Sequence, residues 1–84
     1  MKITWDEPKR QLTLETRGLD FAALDIEFFA ASTIVPAKLD RFMAIGEFDS
    51  AVIAVVFKRL GREAISVISM RRASRKERAL HDQA

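Results

Sequence analysis

Two apolar runs dominate the second half of the chain, residues 51–57 (AVIAVVF) and residues 64–70 (AISVISM). Only Lys58-Arg59-Leu60-Gly61-Arg62-Glu63 separates them. Short stretches this rich in Val, Ile and Phe read as strands, and unbroken apolarity places residues 51–57 mid-sheet, covered on both faces. A connection so short makes the two runs antiparallel neighbours. Such a pair must be buried under something, and the rest of the chain has to supply the cover.

Residues 2–5 read as a short strand at or near a sheet edge. Asp6 N-caps a helix whose first turn holds Glu7 and Pro8, where proline does no harm. That helix carries Lys9, Arg10, Leu12 and Leu14 and stops at Gly18, a residue suited to the left-handed cap after Arg17. Asp20 caps a second helix. Its Phe21, Leu24 and Phe28 lie at i, i+3 and i+7, and Ile26 and Phe29 widen that stripe toward the core. Residues 33–35 form a strand cut short by Pro36. Residues 41–46 form another, and Glu47-Phe48-Asp49-Ser50 turns the chain. Ser74-Arg75-Lys76-Glu77 fits the capping box S-x-x-E and opens a final helix. The order β-α-α-β-β-β-β-α describes one α+β domain over residues 1–84: a small antiparallel sheet packed with two N-terminal helices and a C-terminal helix.

The chain has 84 residues, six of them Phe, enough for one modest core. With no Cys and a single His, it cannot form disulfides and is not expected to hold a metal or other cofactor. The longest apolar run is too short to span a bilayer. Lys2-Ile3-Thr4-Trp5 leads into charge rather than into the apolar core of a secretory signal. The expected location is the cytoplasm, without membrane contact.

The net charge of +2 conceals an uneven split. Residues 1–50 carry six Lys/Arg against nine Asp/Glu, net −3, whereas residues 51–84 carry eight against three, net +5. Residues 71–78 hold five cations and one acid at the end of an apolar strand. That arrangement suits a polyanion such as RNA; the plainer alternative is a solvated charged helix.

Four segments carry a family likeness. Trp5-Asp6-Glu7-Pro8-Lys9-Arg10, Gly18-Leu19-Asp20-Phe21, Arg41-Phe42-Met43-Ala44-Ile45-Gly46 and Ile68-Ser69-Met70-Arg71-Arg72-Ala73-Ser74-Arg75-Lys76-Glu77-Arg78 occur in that order. Together they resemble BrnT-type toxins over nearly the whole chain. The resemblance implies a RelE-like fold and a type II toxin–antitoxin role, with a ribonuclease that stops translation and growth. It also implies a BrnA-like antitoxin with a ribbon-helix-helix domain, through which the complex reaches operator DNA. The chain departs from the family pattern at Thr13, where Asn is common, at Thr16-Arg17, where Lys-His is common, and at His81, where an aromatic is common.

Metal-free RNA cleavage needs a base for the 2′-hydroxyl, an acid for the 5′-oxygen and cations for the charge that builds on the phosphoryl group. With one His in the chain, a two-histidine solution is impossible. Arginines holding the phosphate, with a carboxylate or a perturbed lysine moving protons, remain. The catalytic candidates are Lys9, Arg41 and Arg71. Arg71 shares strand parity with Ile65 and Val67 and either clamps a phosphate or pairs with an acid on a facing helix. Lys9 either touches substrate or pairs on the surface with Asp6 or Glu7. Arg10, Arg72, Arg75, Lys76 and Arg78 are the expected RNA-binding residues; Arg72 contacts backbone or solvent, and Arg75, Lys76 and Arg78 contact phosphates or an acidic antitoxin segment. Glu77 reads as a cap rather than a base, His81 as an exposed residue of a fraying end, and Trp5 and the Phe set as core. The rival to an endoribonuclease is a non-catalytic RNA- or protein-binding module, a degenerate toxin retained for complex assembly and operon autoregulation.

Overall fold

The computed structural model describes residues 1–83. Five strands and three α-helices, with one 3₁₀ turn, follow in the order β1 (Lys2–Trp5), α1 (Glu7–Arg17), the 3₁₀ turn (Phe21–Ala23), α2 (Ile26–Ala31), β2 (Thr33–Pro36), β3 (Phe42–Phe48), β4 (Ala51–Leu60), β5 (Ala64–Arg72) and α3 (Arg75–Asp82). The strands lie side by side as β1-β5-β4-β3-β2. The chain is α+β, as expected.

The sheet is mixed rather than antiparallel. β1 runs parallel to β5, Lys2 facing Ala64 and Trp5 facing Val67, while β2 to β5 pair antiparallel. Loop length speaks only for strands adjacent in sequence, and β1 meets a partner some sixty residues away. β4 also extends through Lys58, Arg59 and Leu60, which were expected to lie in the connection. Asp49 and Ser50, both at positive φ (48° and 65°), make the two-residue turn between β3 and β4. Such a turn has the twist that antiparallel hairpins require.

The expected second helix is divided. Asp20 caps only the 3₁₀ turn, Leu24 is extended, and Asp25 starts α2 by accepting from the Phe28 N–H at 2.8 Å. Phe21, Leu24 and Phe28 are nonetheless buried against Ile53, Val55, Phe57, Ile65, Val67 and Met70, so the stripe survives the break. Ile26, by contrast, faces outward. α2 lies close on β3 at Gly46, where an added Cβ would collide with the Ser32 hydroxyl and press on the Phe28 ring.

The opposite face of the sheet is organised in cross-strand rows. Thr33, Ile45, Ala54 and Arg71 are register partners across β2, β3, β4 and β5. α3 lies over this row: Glu77 reaches Arg71 at one end, and His81 Nδ1 meets Thr33 Oγ1 at 3.0 Å at the other. Helix positions four apart lie on one face, so α3 spans the row with a single turn. His81 is therefore half-buried and held, not the exposed residue the sequence suggested.

Candidate nucleic-acid interface

The next row of that face is Val35, Met43, Val56 and Ser69. Val56 and Ser69 floor a groove of about 400 Å³, walled by α1 through Lys9, Leu12, Thr13, Thr16 and Arg17 and closed by Arg41. The helical spacing explains the wall, because positions 9, 13, 16 and 17 fall on one side of α1. Asp6 starts that helix by accepting from the Lys9 N–H, and Gly18, at φ 69°, ends it. Arg17 ties its last turn to β5 by donating from Nη1 to the Met70 carbonyl at 3.0 Å.

Arg41 arrives from a turn in which Leu39 and Asp40 both adopt positive φ (61° and 58°). A left-handed conformation costs a non-glycine residue about 1–2 kcal/mol. The turn is pinned by the Ala37 N–H donating to the Arg41 carbonyl at 2.9 Å. The strand expected from Arg41 begins at Phe42, so Arg41 ends the turn ahead of β3 and lines the groove from there.

Lys9 and Arg41, far apart in sequence, thus meet in one groove. Among the described residues neither side chain is in an ion pair. Among the described residues no Asp or Glu lines the groove; three cations and Thr13, Thr16 and Ser69 do. Arg17 was missed as a candidate in the sequence, although its spacing from Lys9 and Thr13 was the available signal.

Arg71 lies one row away, and the parity expected for it was wrong. A bulge opposite Val56 and Phe57 inserts Ile68, so Met70 takes the core side with Ile65 and Val67 and Arg71 faces the other way. Its guanidinium grips Glu77 with Nη1–Oε1 2.7 Å and Nη2–Oε2 2.9 Å, and Nη2 lies 3.9 Å from Met43 Sδ. This is the ion pair with a facing helix that the sequence left open. The Arg71 bond is the main cause that pulls the Glu77 carboxyl down to about 2, and the pairing raises Arg71 in turn. Glu77 also completes the capping box, accepting from the Ser74 N–H at 2.8 Å. A carboxylate so held stays ionised at neutral pH and is no proton acceptor.

The remaining candidates separate. Arg10 is held by Glu7 (2.9 Å) and Asp20 (2.8 Å). That contact is the first cause drawing Glu7 down to about 2, and it lowers Asp20 as well. Glu7 also accepts from the indole of Trp5, which is half-buried against the core. Arg72 and Arg78 line another recess, of about 300 Å³, with Ser50. Arg75 and Lys76 are exposed on the first turn of α3. Among the described residues, no three His, Cys, Asp or Glu side chains gather to hold a metal ion. No helix among them is long and apolar enough to cross a membrane.

Residues 5–77 match the family model of the ribonuclease toxin BrnT of type II toxin–antitoxin systems. No curated protein sequence matches the chain. Among solved structures, the 1.1 Å crystal structure of the Brucella abortus ribonuclease toxin BrnT superposes with a TM-score of 0.82 at 59% identity, covering 89% of this chain and 99% of that one. A family model that covers α1, β2 to β5 and the start of α3, joined to a close structural relative, leads to one assignment: the chain belongs to the BrnT family of type II toxin–antitoxin ribonuclease toxins.

Proposed function

We propose that the chain is one RelE-like toxin domain and a metal-independent endoribonuclease that cuts RNA in the groove between α1 and the Arg41 turn. The convergence of Lys9, Arg17 and Arg41 in a groove that also carries Thr13, Thr16 and Ser69 supports this reading. The 2′-oxygen attacks phosphorus and the P–O5′ bond breaks, leaving a cyclic phosphate and a 5′-hydroxyl. Arg41 and Arg17 hold the phosphoryl oxygens as negative charge grows on them. The Lys9 ammonium gives its proton to the departing 5′-oxygen. Among the described residues no Asp, Glu or His lines the groove, and the 2′-hydroxyl loses its proton to solvent hydroxide.

Arg71 acts from the edge of the site. Its pair with Glu77 sets the position of α3, and its part-open guanidinium adds charge beside the scissile phosphate. Arg72, Arg75, Lys76 and Arg78 meet flanking phosphates, and Arg10, held by two carboxylates, contributes to the local field. The toxin acts in the cytoplasm, where RNA loss stops translation. A BrnA-like ribbon-helix-helix antitoxin neutralises it and brings the complex to operator DNA. Family membership favours this nuclease over a non-catalytic module.

The test is incubation of purified toxin with single-stranded RNA in EDTA, alongside Lys9→Ala and Arg41→Ala. Cleavage by the wild type and its loss in both folded variants is the expected result. A requirement for added magnesium, or variants that cut as fast as the wild type, overturns the mechanism.

A further inference from the structure

A hollow of about 500 Å³ lies on the other face of the sheet, where α2 leaves the β4–β5 hairpin uncovered. Phe57 and Ile65 form its floor, and Phe29 lines one wall. Ile26 and Ile34 stand on its rim, 49% and 41% exposed. Phe57, Ile65 and Ile34 share the strand parity of the core, opposite to that of Val56 in the cationic groove. Exposed branched aliphatics around an apolar floor lose water favourably when covered, by about 25 cal/mol per Å².

Two cations flank the hollow. Arg59 holds its guanidinium 4.9 Å above the ring of Phe42, and Arg62 projects from the hairpin turn. Among the described residues neither is in an ion pair. The complement of such a surface is an apolar stretch of polypeptide bordered by Asp or Glu. RNA matches it poorly, since the floor offers no hydroxyl or amide to a base edge or sugar. A type II toxin must bind a protein antitoxin, so a polypeptide partner is already required.

We infer that this hollow seats an acid-flanked apolar segment of the cognate antitoxin, on the face opposite the RNA groove. The inference rests on the family assignment and is independent of the groove chemistry proposed above. Antitoxin binding and RNA cleavage then depend on different side chains and can be separated by substitution.

Two variants test it: Arg59→Glu/Arg62→Glu, and Ile26→Asp, all at exposed positions. Each is titrated by calorimetry against the full-length antitoxin encoded beside the toxin gene, and each is assayed on RNA. The expected result is antitoxin affinity reduced by about 30-fold or more with RNA cleavage at the wild-type rate. Wild-type antitoxin affinity in either folded variant overturns the inference. So does weakened RNA binding with antitoxin affinity intact, which would make the hollow part of the RNA path. Sedimentation of the free toxin distinguishes a second copy as occupant: a wild-type dimer that Ile26→Asp dissociates also overturns it. A wild type that binds antitoxin here but never cuts RNA would sink the nuclease mechanism alone.

Discussion

Arg71 and Glu77 form a two-pronged ion pair, 2.7 and 2.9 Å, that ties the end of β5 to the first turn of α3. The Glu77 side chain is 14% exposed and that of Arg71 39%, so water screens one partner more than the other. Because the same carboxylate caps α3 through the Ser74 N–H, one acidic group sets both the start of the helix and its position on the sheet.

The pH dependence of stability follows from that pair. Folding lowers Glu77 from 4.5 to about 2, so between these values the unfolded chain binds more protons and stability rises with pH. The contribution is complete above pH 4.5 and is lost as pH falls through about 2. Screening at Arg71 limits it to about 1–2 kcal/mol. Urea unfolding of wild type and Glu77→Gln should differ by this amount at pH 7 and converge near pH 2. A gap that does not change with pH would show that the ion pair contributes nothing.

Catalysis should depend on Lys9 and Arg41 more than on fold stability does. Both residues line the groove, and among the described residues neither is in an ion pair. Lys9→Ala and Arg41→Ala should each lower kcat for RNA cleavage by about 10²-fold, in line with loss of a charge-stabilising donor. Thermal unfolding should move little. Equal losses of activity and folding would assign both residues a structural role instead.

If solvent hydroxide removes the 2′-proton, kcat should rise about tenfold per pH unit between pH 6 and 8. Stopped sampling of a fluorescent RNA measures this directly. A plateau within that range would reveal a side-chain base and overturn the solvent route.

Arg17 offers a measurement that separates phosphate contact from chemistry. Each phosphate contact to single-stranded nucleic acid adds about 0.7 to the salt slope of log K. Arg17→Gln should flatten the slope of RNA binding by about that amount, and an unchanged slope would remove Arg17 from the interface.

Gly46→Ala should cost about 1–3 kcal/mol, because the new methyl meets the Ser32 hydroxyl and the Phe28 ring in a packed layer. Adding Ser32→Ala should restore part of the loss, measured as a coupling energy in a double-mutant cycle. Independent, additive effects would mean that α2 and β3 are not in close contact there.

The elements legible in the chain were those coded by neighbours in sequence. Asp6 and Gly18 bracket α1, Ser74 and Glu77 open α3, and the apolar runs place β4 and β5 inside a sheet. Each rests on hydrogen bonds or burial that a few consecutive residues decide. The division of the second helix was less legible, because Asp20 and Asp25 are equally good caps and only packing chooses where the helix restarts.

What tertiary structure alone decided were relations between remote segments. The parallel pairing of β1 with β5 joins residues sixty positions apart, and no local pattern records it. A single inserted residue, Ile68, turned Arg71 away from the core face and toward Glu77, since side chains alternate strictly along a strand. Lys9 and Arg41 could be picked out as cations in the sequence, but their meeting depends on α1 packing along β5 and on the turn that carries Arg41 to the same side. Charge is a property of the residue; convergence of charges is a property of the fold.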